Sequence, residues 1–211
     1  MVISKSQTRI GGMLKTVLYE LRSHAPFTLF GTLTGMIILW ISLDTHMSRS
    51  WFETLFWVLH PGHVFLSALV TAGMYRLHGS GRLLPTLLIG YFGSIGIGTL
   101  SDCVIPYVGE ILLDMPYREI HLGFIEKWWL VNPLAFAGIG LAFWRPSTKF
   151  PHAGHVLLST WASLFHMIMA LGTGHDFFTV VVMALFLFIA VWVPCCTSDI
   201  VFPLLFAKMD K

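Results

Sequence analysis

The sequence predicts an all-α membrane protein that crosses the bilayer several times. Of its 211 residues, 55% are hydrophobic and only 11% are charged, and the mean hydropathy is +0.74. A soluble domain carries roughly 25% charged residues. A chain with so few charges cannot cover a water-facing surface, so most of this surface must face lipid. The lipid bilayer is therefore the first partner that the composition predicts.

Six apolar segments are candidate transmembrane helices, since a span needs about 20 mostly apolar residues. They are residues 27–43, 56–75, 83–100, 129–144, 155–171 and 177–196. The apolar character of each segment is continuous, whereas the strands of a transmembrane barrel alternate apolar and polar residues. The pattern therefore favours six helices over a barrel.

Basic residues fall on alternate connections between these segments, which indicates the orientation of the chain. They lie before the first segment and after the second, fourth and sixth: Lys5, Arg9, Lys15, Arg22, Arg76, Arg82, Arg145, Lys149, Lys208 and Lys211. Cytoplasmic loops carry such an excess of Lys and Arg. The pattern predicts six spans with both termini in the cytoplasm of a bacterial-type plasma or inner membrane.

Two short motifs occur twice, in the same order, and indicate an internal duplication. The first, H-x-G-H-V-x-L-S, begins at His60 and again at His152. The second, S-D-x-V-x-P, begins at Ser101 and again at Ser198. Each half then holds three spans, and an odd number forces the second half to enter the membrane from the opposite side. The sequence therefore predicts a 3+3 repeat of inverted topology.

The duplication divides the chain into five parts. Residues 1–26 form a basic cytoplasmic or interfacial segment, and residues 27–106 form the first three-helix repeat. Residues 107–128 form a polar connection on the outer surface. Residues 129–203 form the second repeat, and residues 204–211 form a cytoplasmic tail.

The duplicated motifs supply residues of the kinds that bind divalent metal ions. His60 and His63 are three positions apart and share one face of a helix, and Pro61 suggests that this helix starts beside them. The topology places Asp102 on the same, outer side. Two histidines and a carboxylate can form the first shell of a zinc ion, with Ser67, Ser101, Ser159 and Ser198 as hydrogen-bond partners of the ligands.

The second copies predict a matching set near the cytoplasmic face. This set consists of His152, His155 and Asp199. Two sets at opposite faces disfavour haem, because the axial histidines of a b-type haem must face each other at one depth. The cysteines Cys103, Cys195 and Cys196 form no C-x-x-C motif and are interpreted as small residues near helix ends. We therefore expect a divalent metal ion, zinc foremost, to be the ligand or substrate.

These features favour a small transporter or exporter of a divalent metal cation over an enzyme. Inverted repeats give two near-equivalent conformations, each open to one side. An intramembrane metal-dependent enzyme, such as a lipid-directed hydrolase, is the alternative, and a structural subunit of a membrane complex is a third reading. The net charge of +2 without a basic run excludes a nucleic-acid partner. The sequence leaves the oligomeric state open, a homo-oligomer included.

Overall fold

The computed structural model describes residues 2–45, 47–146, 149–172, 176–197 and 201–209, and all regular elements in these ranges are helices. The prediction of an all-α chain is thus confirmed for this part of the protein. The helices are α1 (Val2–Asp44), α2 (Arg49–His78), α3 (Leu83–Thr99), α4 (Ile105–Leu112), α5 (Gly123–Glu126), α6 (Trp128–Trp144), α7 (Lys149–Leu171), α8 (Phe177–Cys196) and α9 (Phe202–Met209), with a π-helical turn at Leu100–Val104.

Five helical segments in the described ranges are long and apolar enough to cross a membrane. They are Ala25–Asp44, Arg49–His78, Leu83–Leu112, Ala153–Leu171 and Phe177–Cys195. The helix α6 is also apolar but has 17 residues, a length of roughly 26 Å against the ~30 Å of a hydrocarbon core. The chain is therefore a multi-pass membrane protein by the length and composition of its helices.

The third span is longer than the sequence predicted. The π-helical turn joins α3 and α4 into one helical segment, Leu83–Leu112, and Glu110 in its last turns is fully buried. The first residues of the predicted outer connection (residues 107–128), up to Leu112, thus belong to this helical segment. Glu110 reads as a loop residue by its charge, but its carboxylate is paired inside the bundle with His166.

The helices α2 and α7 form the centre of the bundle and run antiparallel. A side chain on Gly62 would meet Leu158 at 3.3 Å, and one on Gly154 would meet Leu66 at 3.1 Å. Residue numbers thus rise along α2 as they fall along α7. The two contacts are reciprocal, because the glycine of each H-x-G-H-V-x-L-S copy faces the leucine of the other copy. Small residues let two helix backbones approach closely in a membrane.

The outer helices also pack on the opposite half of the chain. The helix α1 packs on α7 and α8, whereas α6 packs on α2 and α3. Gly31 of α1 faces Thr160, and Gly138 of α6 faces Ala68. Thr160 and Ala68 each follow the last serine of an H-x-G-H-V-x-L-S copy. The short helices follow the same rule, since α4 packs on α7 and α8 while α9 packs on α2 and α3.

The ends of α7 and α8 are set by local chemistry. Gly172 follows α7 with a φ of 66°, a left-handed conformation that ends helices and that glycine adopts readily. Asp176 precedes α8, and its carboxylate accepts hydrogen bonds from the hydroxyl and the backbone N–H of Thr179. These bonds hold the pKa of Asp176 below its ordinary value, so the cap is present at neutral pH and is lost only as the carboxylate is protonated in acid.

A glycine-to-alanine pair in α6 tests the close approach of α6 to α2. A methyl group on Gly138 would collide with the backbone carbonyl of Phe65, whereas one on Gly140 would meet nothing within 4 Å. We expect Gly138→Ala to lower the free energy of unfolding by about 1–3 kcal/mol, the usual cost of overpacking. Thermal unfolding in detergent, followed by tryptophan fluorescence, measures the effect. Gly140→Ala is the matched control, and equal melting temperatures for the two variants would contradict the close approach.

Candidate metal centre

The histidines of the first motif lie inside α2, not at its start. The helix α2 begins at Arg49, more than two turns before His60, and it contains Pro61 in its interior. The predicted helix start at this motif is therefore wrong. The helix starts earlier because the polar residues before the apolar segment belong to it. Pro61 is tolerated inside the helix because, within a membrane, neighbouring helices can compensate for the hydrogen bond that a proline removes. His60 and His63 consequently lie deep in the bundle, with exposed fractions of 0% and 1%.

Asp102 reaches the same depth from the π-helical turn at Leu100–Val104. Pro106 lies four residues after Asp102, and it has no N–H to bond the Asp102 carbonyl, which its ring would also crowd. A π-helical turn is a local solution to such a misfit and frequently occurs at functional sites. Thr197, just before the second S-D-x-V copy, and Val201, its last residue, are π-helical as well.

The Asp102 carboxylate is fully buried and accepts four hydrogen bonds. Its Oδ2 atom lies 2.9 Å from His60 Nδ1 and 2.7 Å from His63 Nδ1. Its Oδ1 atom accepts from the hydroxyls of Ser101 and Ser159, each at 2.7 Å. The two serines thus take the supporting role expected of them. Both carboxylate oxygens are satisfied, as a buried carboxylate requires.

This arrangement fixes which nitrogen of each imidazole can bind a ligand. A carboxylate oxygen only accepts, so His60 and His63 donate to Asp102 through Nδ1–H and present the lone pair of Nε2 on the opposite side of the ring. The sequence predicted His60, His63 and Asp102 as three ligands of one ion. The structure brings them together, with Asp102 on the Nδ1 side, where a carboxylate orients a metal-binding histidine.

A second group of ligands meets the Nε2 side of His63. The imidazole rings of His63 and His155 are 5.4 Å apart between centroids, and Cys195 Sγ lies 3.9 Å from His63 Nε2. One ligand atom of each of these residues lies within 4.8 Å of the other two. We call His63, His155, Cys195 and the orienting Asp102 the central cluster. All four side chains are at most 2% exposed.

The central cluster suits a borderline or soft divalent ion. Imidazole nitrogen and thiolate sulfur select zinc and related metals, whereas magnesium and calcium prefer oxygen. Bonds of about 2.0–2.3 Å in a tetrahedral site place ligand atoms roughly 3.3–3.8 Å apart. The separation of Cys195 Sγ and His63 Nε2 is close to this range. Three protein ligands leave a fourth position for water or another group.

The structure corrects the predicted separation of the two ligand sets. His155 lies against His63, not at the opposite face, because the two motifs pack against each other where α2 and α7 cross. Asp199 and the side chain of His152 lie outside the described residues. Because the two histidines face each other, the predicted positions at opposite faces no longer disfavour haem.

Cys195 is the candidate ligand that the sequence reasoning missed. The sequence alone indicates a small residue near a helix end. A signal was present, because Cys195 stands three residues before the second S-D-x-V-x-P copy, where the first copy has Gly98. A side chain on Gly98 would lie 3.9 Å from His63 Nδ1. The position three residues before the motif therefore faces His63 in both copies.

No family model, curated protein or solved structure matches the chain.

Cobalt binding tests the central cluster, because Co²⁺ substitutes for zinc and gains a thiolate-to-metal charge-transfer band when sulfur is a ligand. We expect the wild-type protein in detergent to show this band and Cys195→Ser to lose it. Asp102→Asn should weaken metal affinity by about 10–100-fold, the usual effect of removing an orienting carboxylate. Asp114→Asn is the matched control, since the Asp114 side chain is 91% exposed. A charge-transfer band that survives in Cys195→Ser would exclude this centre.

Proposed function

We propose that this chain is a small secondary transporter of a borderline divalent cation such as zinc, built from two inverted three-helix repeats. One observation carries the proposal. His63 and His155 hold the same place in the two motif copies, and they face each other where α2 and α7 cross. Substrate sites of secondary transporters lie at the interface of their repeats, near the bilayer midplane.

The reciprocal contacts between α2 and α7 support the inverted repeat. The glycine of each motif faces the leucine of the other, and the second histidine of each faces its own counterpart. Two surfaces related by a two-fold axis have this property, since residue i meets j where residue j meets i. The antiparallel direction of α2 and α7 agrees with an axis that lies in the membrane plane. In this proposal α6 is the fourth of six spans. The first three are α1, α2 and the segment formed by α3 and α4, and the last two are α7 and α8.

The interrupted third span also supports a transport site. The π-helical turn at Leu100–Val104 supplies Asp102 and Ser101 to the centre of the bundle. Transporters place broken helices at their binding sites, because irregular backbone at membrane depth is tolerated where it serves a buried site. A regular helix through residues 83–112 would have no such interruption.

The two halves contribute unequally to the central cluster. Each half gives one histidine, but only the second gives a thiol, because Gly98 stands where Cys195 has its counterpart in the first repeat. Asp102 comes from the first half. A single thiol with two imidazoles gives a site of intermediate softness, which favours zinc over both alkaline-earth ions and purely thiophilic ones.

Burial of the central cluster fits an occluded state of a transport cycle. Its side chains are at most 2% exposed, so an ion there would reach neither face without a movement of the helices. The two repeats would supply that movement by exchanging conformations, each opening one side. The bilayer is the working environment of such a protein, the ion is its substrate, and no nucleic acid takes part.

The proposed orientation can be tested with single cysteines at Asp114 and Arg145, both exposed. The alternating basic loops predict that both termini are cytoplasmic, with Asp114 outside and Arg145 inside. A membrane-impermeant maleimide should then label Asp114→Cys in intact cells and Arg145→Cys only after the membrane is opened. The wild-type chain, in which Cys103 and Cys195 are buried, is the control. Labelling of both positions in intact cells would rule out the six-span topology.

Flux in proteoliposomes tests transport itself. We expect the purified protein to carry Zn²⁺ into vesicles loaded with a zinc-sensitive dye, and a His63→Ala/His155→Ala double variant to lose this flux because two of three ligands are gone. His78→Ala is the matched control, since His78 is an exposed histidine at the end of α2 whose Nδ1 bonds to the Met74 carbonyl one turn earlier. Zinc flux equal in the double variant and the wild type would defeat the proposal.

One observation favours an enzyme as the second candidate. Cys195 Sγ, His63 Nε2 and the Asp102 carboxylate follow one another in the order nucleophile, base and orienting acid, as in cysteine hydrolases. The 3.9 Å separation of sulfur and nitrogen is long for a poised pair, and the second histidine on Cys195 suits a metal better. Consumption of a lipid ester or thioester by protein that carries no zinc would favour this alternative.

A further inference from the structure

A buried contact between α7 and the third span pairs two ionisable side chains outside the central cluster. His166 Nδ1 lies 2.6 Å from Glu110 Oε1, and both side chains are 0% exposed. Their other polar atoms, His166 Nε2 and Glu110 Oε2, have no hydrogen-bond partner among the described residues. Ionisable groups inside a membrane are costly and usually serve a function. This pair is therefore a candidate for a function that the central cluster does not perform.

The His166–Glu110 pair lies about two helical turns from the Asp102 carboxylate. Glu110 follows Asp102 by eight residues in one helical segment, a rise of roughly 12 Å. On α7, His166 follows by seven residues Ser159, whose hydroxyl donates to Asp102. The same two segments thus hold both buried carboxylates. Charges at this separation interact inside a bilayer, because water and salt screen them much less there than at a surface.

The elements packed around the pair present apolar side chains to it. Phe56 of α2 lies ring to ring with His166, 5.4 Å between centroids. Phe186 of α8 packs at Gly109, which precedes Glu110 in the chain. The residues on both sides of His166 belong to one apolar core with side chains of α1, α2 and α8, among them Leu39, Phe52 and Leu187. Such surroundings favour a pair without net charge.

Titratable neighbours of the pair lie on its α5 side. The His121 ring is 5.3 Å from that of His166, and His121 is 8% exposed. Its Nδ1 lies 3.2 Å from Glu126 Oε2, and the Glu126 side chain is 39% exposed. From α2, His60 stacks on the same Phe56 ring at 5.4 Å. Exposure therefore rises stepwise from the buried pair through His121 to Glu126, which marks a route for protons to water.

We propose that the His166–Glu110 pair is a proton site, which releases a proton when a divalent cation binds at the central cluster and regains one when the cation leaves. The neutral pair is imidazolium with carboxylate, or imidazole with carboxylic acid. It holds one proton more than imidazole with carboxylate. The released proton passes by His121 to water, and the negative charge left on the pair offsets part of the cation's charge. This inference rests on the proposed function and makes it an exchange of cation for protons.

Proton release on zinc binding tests the proposal in purified protein. Titration calorimetry in two buffers of different ionisation enthalpy counts the protons released per Zn²⁺ bound. We expect Glu110→Gln to release about one proton fewer than the wild type, since the Cys195 thiol contributes equally in both. Its zinc stoichiometry should be unchanged because the central ligands remain. Glu119→Gln, at a carboxylate that is 59% exposed, is the matched control and should release as many protons as the wild type.

A second variant, His166→Gln, keeps the test decisive if Glu110→Gln is not monodisperse on size-exclusion chromatography. It should also release about one proton fewer, because a carboxyl group without a charged partner in an apolar interior stays neutral. Proton release equal to that of the wild type in either monodisperse variant would overturn the proposal.

Proteoliposomes separate this proposal from the transport proposal. With the membrane potential clamped, an acidic vesicle interior should speed zinc uptake by the wild type but not by Glu110→Gln. Reduced proton release in the variants, without zinc flux in the wild type, would support the proton site and defeat only the transporter. Wild-type zinc uptake that does not respond to the pH gradient would overturn the proton site and leave the transporter in place.

Discussion

The Asp102 carboxylate is the interaction around which the bundle is arranged. An isolated charge in an apolar interior is so costly that it is tolerated only when hydrogen bonds surround it. Here α2 supplies two imidazoles, the π-helical turn supplies Ser101, and α7 supplies Ser159. Each donor constrains the rotation of its own helix. Satisfying one carboxylate therefore fixes how α2, α7 and the third span face one another.

The close crossing of α2 and α7 brings candidate ligands from both helices into one site. Gly62 and Gly154 allow a leucine of the opposite helix to pack on each backbone, and the crossing brings His63 against His155. The two H-x-G-H motifs lie beside this crossing, so their second histidines meet.

The sequence by itself determined the helical membrane class, the duplicated motifs and the association of His60 and His63 with Asp102. Composition indicates whether a surface faces lipid or water, and residues three apart on a helix share a face. The membrane class and the shared face of His60 and His63 therefore need no tertiary information. Only the tertiary structure decided that His155 and Cys195 join His63, that Glu110 is buried against His166, and that the first motif lies inside its helix. These depend on where helices start, on their rotation and on the depth at which they cross. Such quantities follow from packing between distant segments, and no local pattern encodes them.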